Sequence, residues 1–165
     1  MHRLHSMSLI ASILPYANVV AESKATSKKR VFEEAALLFE AQQGLDRSPV
    51  FEKLFARERL GSTGLGHGVA IPHSRIEGLD EVAGAFIRLV TPIPFDAFDD
   101  EPVRLIFVLL VPGNANDTHL NILAELAQMF SSPAFREQLI AAADTDALHA
   151  LLTGWRADPE DGAPT

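Results

Sequence analysis

The stretch from Val103 to Val111 constrains this chain more than any other. Val103-Arg104-Leu105-Ile106-Phe107-Val108-Leu109-Leu110-Val111 is apolar at every position but one. A half-buried strand alternates apolar and polar residues, so an unbroken apolar run of this length reads as a central strand covered on both faces. It falls far short of the roughly 20 residues that a transmembrane helix needs. Residues 82–91 supply a second strand, with Ala83, Ala85, Ile87 and Leu89 on one face, and residues 68–72 a short third one through Val69 and Ile71.

Helical patterns stand before and after these strands. Over residues 27–43, Val31, Ala35 and Leu38 recur at spacings of three and four beside Phe32, Ala36 and Phe39, and Gly44 stops the helix. Ser48-Pro49 is expected to open the next, whose apolar face is Val50, Phe51, Leu54 and Phe55. Asn116 or Asp117 caps a helix running to about Phe130, Ser132-Pro133 opens another, and Asp144 or Thr145 begins a last one that ends near Gly154. The fold class expected is α/β, a single three-layer domain with a short mixed β-sheet flanked by helices. The order of the strands does not follow from the pattern.

At 165 residues the chain supports one domain, expected over 8–155, with a flexible N-terminus (1–7) and a disordered acidic tail (156–165). Leu9 to Leu14 faintly mimics a signal peptide, but Pro15 stops the run, so the segment is expected in the mature protein. The cytoplasm is the expected location. The lack of cysteine excludes a thiol nucleophile, a Cys-ligated metal and a disulfide framework. A formal charge of −8 argues against general binding to nucleic acid or to anionic membrane, both of which reward clustered Lys and Arg.

The densest chemistry lies in Gly61-Ser62-Thr63-Gly64-Leu65-Gly66-His67-Gly68-Val69-Ala70-Ile71-Pro72-His73. No Gly-Lys-Ser/Thr follows, and the glycines lead into a strand rather than a helix, which rules out a P-loop and a dinucleotide fingerprint. Glycines among small hydroxyl residues do allow backbone N–H groups to converge on an anion; a tight helix-to-strand connection would use them equally well. His73 stands just past the short strand, behind Pro72, where a loop is expected to begin. His119 falls in the first turn of the helix begun at Asn116 or Asp117, where free N–H groups and the helix dipole favour phosphate and a neutral imidazole. Arg57 sits at the border of its helix's apolar face, beside Val50 and Leu54. Taken singly, each has an ordinary alternative: a structural histidine, a surface histidine near a cap, a solvated arginine. Arg59, Arg75 and Glu58 fit the solvated description better. Together, two histidines, an arginine and a glycine-rich loop suit phosphoryl transfer through a phosphohistidine, which needs alignment and hydrogen-bond donors more than proton chemistry.

The Gly61–His73 block resembles the active-site signature of enzyme IIA domains of the mannitol/fructose type, components of the bacterial phosphoenolpyruvate-dependent phosphotransferase system. Phe95-Asp96-Ala97-Phe98-Asp99, Pro102-Val103, Leu109-Leu110-Val111-Pro112 and Thr118-His119-Leu120 are similar to further blocks of the family, in the same order. The resemblance runs from about Leu9 to about Leu152 and is strongest to the stand-alone nitrogen-regulatory branch. It implies the mannitol-type enzyme IIA fold and phosphorylation of His73, through Nε2, by an HPr-like phosphocarrier. It implies that His119 donates a hydrogen bond to the phosphoryl group, that Arg57 steadies it, and that Ser62 and Thr63 lie in the loop lining the site. His67 departs from the pattern, standing where Asn is expected, and Ser74 stands where Gly or another small residue is common.

The reading that follows is a regulatory phosphocarrier with no cofactor and no metal, carrying phosphate covalently on His73. By resemblance its targets are potassium-transport components or sensor kinases, and neither nucleic acid nor membrane insertion is expected. One alternative is a sugar-transport enzyme IIA that passes phosphate to a separate IIB. A remote one is a metal-dependent hydrolase built on His67, His73, His119 and Asp117, which lack the compact spacing of a metal-binding pair.

Overall fold

The computed structural model describes residues 9–157, and for residues 117–120 the backbone alone. The expectations for the 1–7 segment and for the acidic end of the chain fall largely outside the described residues. Among the described residues thirteen elements follow one another, beginning with α1 (Leu9–Ile13), a 3-10 turn (Tyr16–Asn18), β1 (Val19–Ser23), α2 (Lys28–Gln43) and α3 (Arg47–Arg59). Then come β2 (Gly64–Gly66), β3 (Val69–Ala70), β4 (His73–Ile76), β5 (Ala83–Ile93) and β6 (Val103–Pro112), and finally α4 (Asp117–Phe130), α5 (Pro133–Ala141) and α6 (Thr145–Gly154).

The apolar run is β6, and it lies in the middle of a mixed sheet ordered β1-β5-β6-β3-β2. β5 pairs with β6 antiparallel and β1 pairs with β5 parallel. Along the other edge of β6, β3 and then β4 pair with it in parallel, Val69 opposite Leu105 and His73 opposite Leu109. The two short strands are therefore one line of chain interrupted at Ile71-Pro72. Proline has no N–H to give to a ladder, and the Pro72 carbonyl accepts the Leu109 N–H at 2.9 Å.

Because successive strand residues face opposite ways, β6 divides its apolar side chains between two cores. Leu105, Phe107, Leu109 and Val111 pack with Phe86 against α1, α4, α5 and α6. Ile106, Val108 and Leu110 pack with Ala85 and Ile87 against α2 and α3. Phe32, Phe39, Phe86, Phe95 and Phe107 are fully buried. At about 1.5–3 kcal/mol for each such side chain, this apolar burial provides cohesion that cysteine-free chains require. The three-layer α/β expectation, with helices on both faces of a mixed sheet, is the architecture found.

Several caps explain the helix limits. The Ser27 hydroxyl accepts the Arg30 N–H at 3.1 Å, Ser132 accepts Phe135 N–H at 3.1 Å, and Asp144 accepts Ala147 N–H at 2.9 Å. Gly44, at φ 70, closes α2 in the left-handed conformation. Inside the sheet, the buried Arg88 guanidinium donates to the carbonyls of Leu139, Ile140 and Ala142 at the end of α5 and to Ala21 in β1. Burial, and secondarily the nearby Arg104, lower its pKa from the ordinary arginine value.

Some local expectations change. α3 begins at Arg47 rather than at Ser48-Pro49, with Asp46 as N-cap and no side-chain cap bond. Pro49 is tolerated there because the first helical turn leaves its N–H groups unpaired in any case. His73 does not begin a loop; it opens β4. β1 and β2 carried no usable periodicity, and both gain their structure by pairing with strands distant in the chain or with a close hairpin neighbour.

Candidate functional site

Edge strand β4, the last turn of α3 and the middle of α4 enclose a cleft of about 650 Å³. Its lining includes Lys53, Arg57, Leu60, His73, Arg75, Val111 and Leu123. Lys53, Arg57 and Arg75 are cations, and among the described residues no carboxylate belongs to the lining. In a chain of net charge −8, this cleft is a local exception suited to an anion. A second cleft of about 610 Å³, between the 11–15 segment and the 78–83 loop, is lined by Ser12, Gln43, Asp80 and Glu81 and, among the described residues, by no histidine, lysine or arginine.

His73 is half-buried in the cationic cleft, and its ring is oriented by the break in the strand. Nδ1 lies 2.8 Å from the Ile71 carbonyl oxygen. A carbonyl only accepts, so the bond places the proton on Nδ1, and in the neutral ring the Nε2 lone pair is left for chemistry. Ile71 is itself pinned, because its N–H donates to the Thr63 carbonyl at 3.0 Å.

Arg57 occupies the last turn of α3 and donates through Nη1 to the Gly61 carbonyl at 2.9 Å. This single bond holds the arginine at the mouth of the glycine-rich loop while it shares the cleft with His73. The structure thus brings together His73 and Arg57. For His119 it places the backbone in the first turn of α4, one turn before Leu123; the side chain lies outside the described residues.

Ser62 and Thr63 are not among the residues lining the cleft, because both hydroxyls build the loop. Ser62 Oγ donates to the Phe95 carbonyl at 2.7 Å and accepts the Gly64 N–H at 3.1 Å. Thr63 Oγ1 donates to Glu58 Oε1 at 2.7 Å. A Cβ on Gly64 would come within 2.7 Å of the Ala97 Cβ, so the loop approaches the 95–99 segment too closely for any larger residue.

Glu58 corrects the expectation of a solvated side chain. It is 6% exposed and accepts both groups of Thr63, the N–H and the hydroxyl, and Lys28 Nζ at 2.9 Å. Its position was available in the spacing, since Val50, Leu54 and Glu58 fall four apart on the buried stripe of α3. Arg75 is exposed but likewise tied, donating to the carbonyls of Gly113 and Ala115 at 3.3 and 3.1 Å. It thereby joins His73's own strand to the turn that launches α4.

The acidic stretch of Asp96, Asp99, Asp100 and Glu101 is more than a solvated loop. Asp96 pairs with Lys28 at 3.2 Å. Asp99 Oδ2 accepts the His67 N–H at 2.9 Å, and Oδ1 accepts that of Glu101 at 3.1 Å. These backbone donors, His67 first, hold the Asp99 carboxyl below its ordinary pKa. His67 itself has φ 58 in the β2–β3 turn and does not line the cleft. Among the described residues no three His, Asp or Glu side chains gather as metal ligands. The side chains of Asp117 and His119, which the hydrolase alternative requires, lie outside the described residues. Also among the described residues, no helix is long and apolar enough to cross a membrane.

Comparisons with known proteins bear on this geometry. Residues 12–154 match the domain family described as "Phosphoenolpyruvate-dependent sugar phosphotransferase system, EIIA 2". A nitrogen regulatory protein of Pseudomonas aeruginosa is 43% identical over 127 residues, covering 76% of this chain and 82% of that protein. The crystal structure of nitrogen regulatory protein IIA-Ntr from Neisseria meningitidis superposes with a TM-score of 0.84 at 52% identity, covering 88% of this chain and 100% of the other. The crystal structure of IIA mannitol from Escherichia coli has a TM-score of 0.69 at 22% identity, covering 84% of this chain and 97% of that one, a likeness of fold.

Proposed function

The chain belongs to the EIIA 2 family of the phosphoenolpyruvate-dependent sugar phosphotransferase system, and from that premise we propose that His73 is its phosphoryl acceptor. The observation that carries the reading is the His73 ring in a cationic cleft, with Nδ1 committed to the Ile71 carbonyl. In the transfer, the lone pair of Nε2 attacks the phosphorus of a phosphohistidine on the donor. The donor's P–N bond breaks, its nitrogen recovers the electron pair, and the proton on His73 Nδ1 stays where it is. No acid or base is consumed, so the protein's task is alignment and neutralisation of the phosphoryl oxygens.

Arg57, already braced on the Gly61 carbonyl, supplies a planar fork for those oxygens. Lys53 and Arg75 add positive charge to the same cleft. His119, a turn ahead of Leu123 in α4, is the proposed second donor. Family membership implies phosphotransfer partners, proteins that give or take the phosphoryl group. The donor proposed is an HPr-like carrier, and the output proposed is regulation of target proteins by the phosphorylation state of His73. Potassium-transport components and sensor kinases are the target classes considered. The nitrogen regulatory relatives favour this over a sugar-transport enzyme IIA that feeds a IIB acceptor.

Incubation with phosphoenolpyruvate, the first enzyme of the system and an HPr-like carrier tests the site. Acid-labile label is expected on the wild type and absent from His73→Ala; label that persists in that variant overturns the assignment. A pull-down comparing the wild type with His73→Ala and His73→Glu then sorts the targets by the state they bind.

A further inference from the structure

A chain of hydrogen bonds leads from the interior of α3 to the imidazole of His73. Glu58 Oε1 accepts the Thr63 hydroxyl at 2.7 Å, and both carboxylate oxygens accept the Thr63 N–H, at 3.3 and 3.2 Å. The Thr63 carbonyl accepts the Ile71 N–H at 3.0 Å. The Ile71 carbonyl accepts His73 Nδ1 at 2.8 Å. The opposite side of the same chain break is held by the Pro72 carbonyl on the Leu109 N–H. Ile71-Pro72 is thus pinned to the rigid centre of the sheet on one side and, on the other, to Thr63, which a buried carboxylate holds by both its N–H and its hydroxyl.

From this arrangement we infer that Glu58 is a positioning residue for His73, setting the orientation of its imidazole through Thr63 and Ile71. The consequence for phosphotransfer rests on the proposed role of His73; the effect on the imidazole does not.

The chemistry of the position requires a carboxylate. Three donors converge on Glu58: the Thr63 N–H, the Thr63 hydroxyl and the Lys28 ammonium. A carboxylate offers about four acceptor sites and no donor, and its charge is matched by Lys28. Glutamine has nearly the same shape, but its amide NH₂ would face either Lys28 or Thr63, donor against donor. Glu58→Gln is therefore a small change in volume and a large one in hydrogen bonding. Replacing Lys28 with Met at the same time removes one of the competing donors and lets the amide oxygen serve Thr63 again.

Nitrogen NMR of the histidine rings reads the tautomer and the Nδ1–H bond of His73 directly, and single-turnover phosphotransfer from the HPr-like carrier reads the consequence. In Glu58→Gln the protonated Nδ1 signature of His73 is expected to weaken, with exchange between tautomers. The transfer rate constant is expected to fall about tenfold, with half-saturation by the carrier changed less than about twofold, as misalignment rather than lost docking would give. Lys28→Met/Glu58→Gln should recover both readouts to within about threefold of the wild type. Thr63→Val, which deletes the hydroxyl and keeps the N–H, should move them in the same direction by less, and serves if Glu58→Gln does not fold.

Ser132→Ala, at the start of α5 and remote from the loop, controls for general loosening. If it moves the His73 signature as far as Glu58→Gln does, the positioning role is overturned. An unchanged signature and an unchanged rate in Glu58→Gln overturn it as well. If the wild type takes no label on His73, the proposed function fails, and the imidazole signature alone then decides the role of Glu58.

Discussion

The two sides of β6 are built by opposite means. On one side the 11-residue β5 runs beside it, in unbroken register from Ala83 opposite Leu110 to Arg88 opposite Leu105, before a shift that brings Ile93 opposite Val103. On the other, β3 and β4 contribute two and four residues, separated by Ile71-Pro72. The β5 side is held by a backbone ladder continuous over those six pairs and by apolar packing above and below. The broken side adds side-chain bonds to its two short ladders: Glu58 on Thr63, Ser62 on Phe95, Asp99 on His67. The difference teaches where this fold can place chemistry. An uninterrupted strand uses up its backbone groups on its neighbours, whereas an interruption turns a carbonyl, that of Ile71, toward a side chain.

That contrast can be broken most forcefully from the continuous side. Phe107→Ala empties a fully buried ring position between Phe86 and the helices, and is expected to cost about 3–5 kcal/mol in urea unfolding. The protein that remains folded should still take label on His73. A folded but unlabelled variant would show that the two sides are not separable.

Lys28→Met attacks the broken side and should cost about 2 kcal/mol. Breaking a fully buried ion pair costs about 3–5 kcal/mol, but the Lys28 side chain is 18% exposed and Glu58 keeps both Thr63 bonds. A cost below about 0.5 kcal/mol would place the loop's support elsewhere.

His73→Ala removes one hydrogen bond from a half-buried ring and should lower stability by about 1 kcal/mol or less, while abolishing phosphorylation. Asp99→Asn is the mildest case. The carboxyl's pKa is lower folded than unfolded, so the stability it adds is present above the ordinary aspartate range and is lost as the pH falls through its depressed value. The asparagine variant should flatten that part of the acid-unfolding curve and speed exchange of the His67 amide. An unchanged acid limb would show that the β2–β3 turn holds without Asp99.

Much of the continuous side was legible from residue order. The apolar run of β6 and the alternation of Ala83, Ala85, Ile87 and Leu89 report burial at each position directly, because a strand's two-residue period is a local property. Helix limits at Ser27, Gly44, Ser132 and Asp144 were legible for the same reason, since a cap is satisfied within three or four residues. The broken side was harder to read. β4 is only four residues long and begins with His-Ser-Arg, so its strand character comes from pairing with β6 rather than from its own pattern. Glu58 looked like one charge among several at a helix end; only the four-residue spacing from Val50 and Leu54 separated it from Arg59 beside it.

The sequence by itself determined the class of fold, the two faces of its central strand, and the glycine-rich block that resembles a phosphotransferase signature. These follow from periodicity and from residue types that few backbones tolerate. Only the tertiary structure decided that His73 and Arg57 share a cleft with Lys53 and Arg75, that Nδ1 of His73 is committed to Ile71, and that a buried glutamate holds the loop between them. Those facts join groups that lie far apart along the chain, such as Lys28 with Glu58 and Ser62 with Phe95. Hydrogen bonds act over about 3 Å of space, and that proximity exists only after the sheet has assembled.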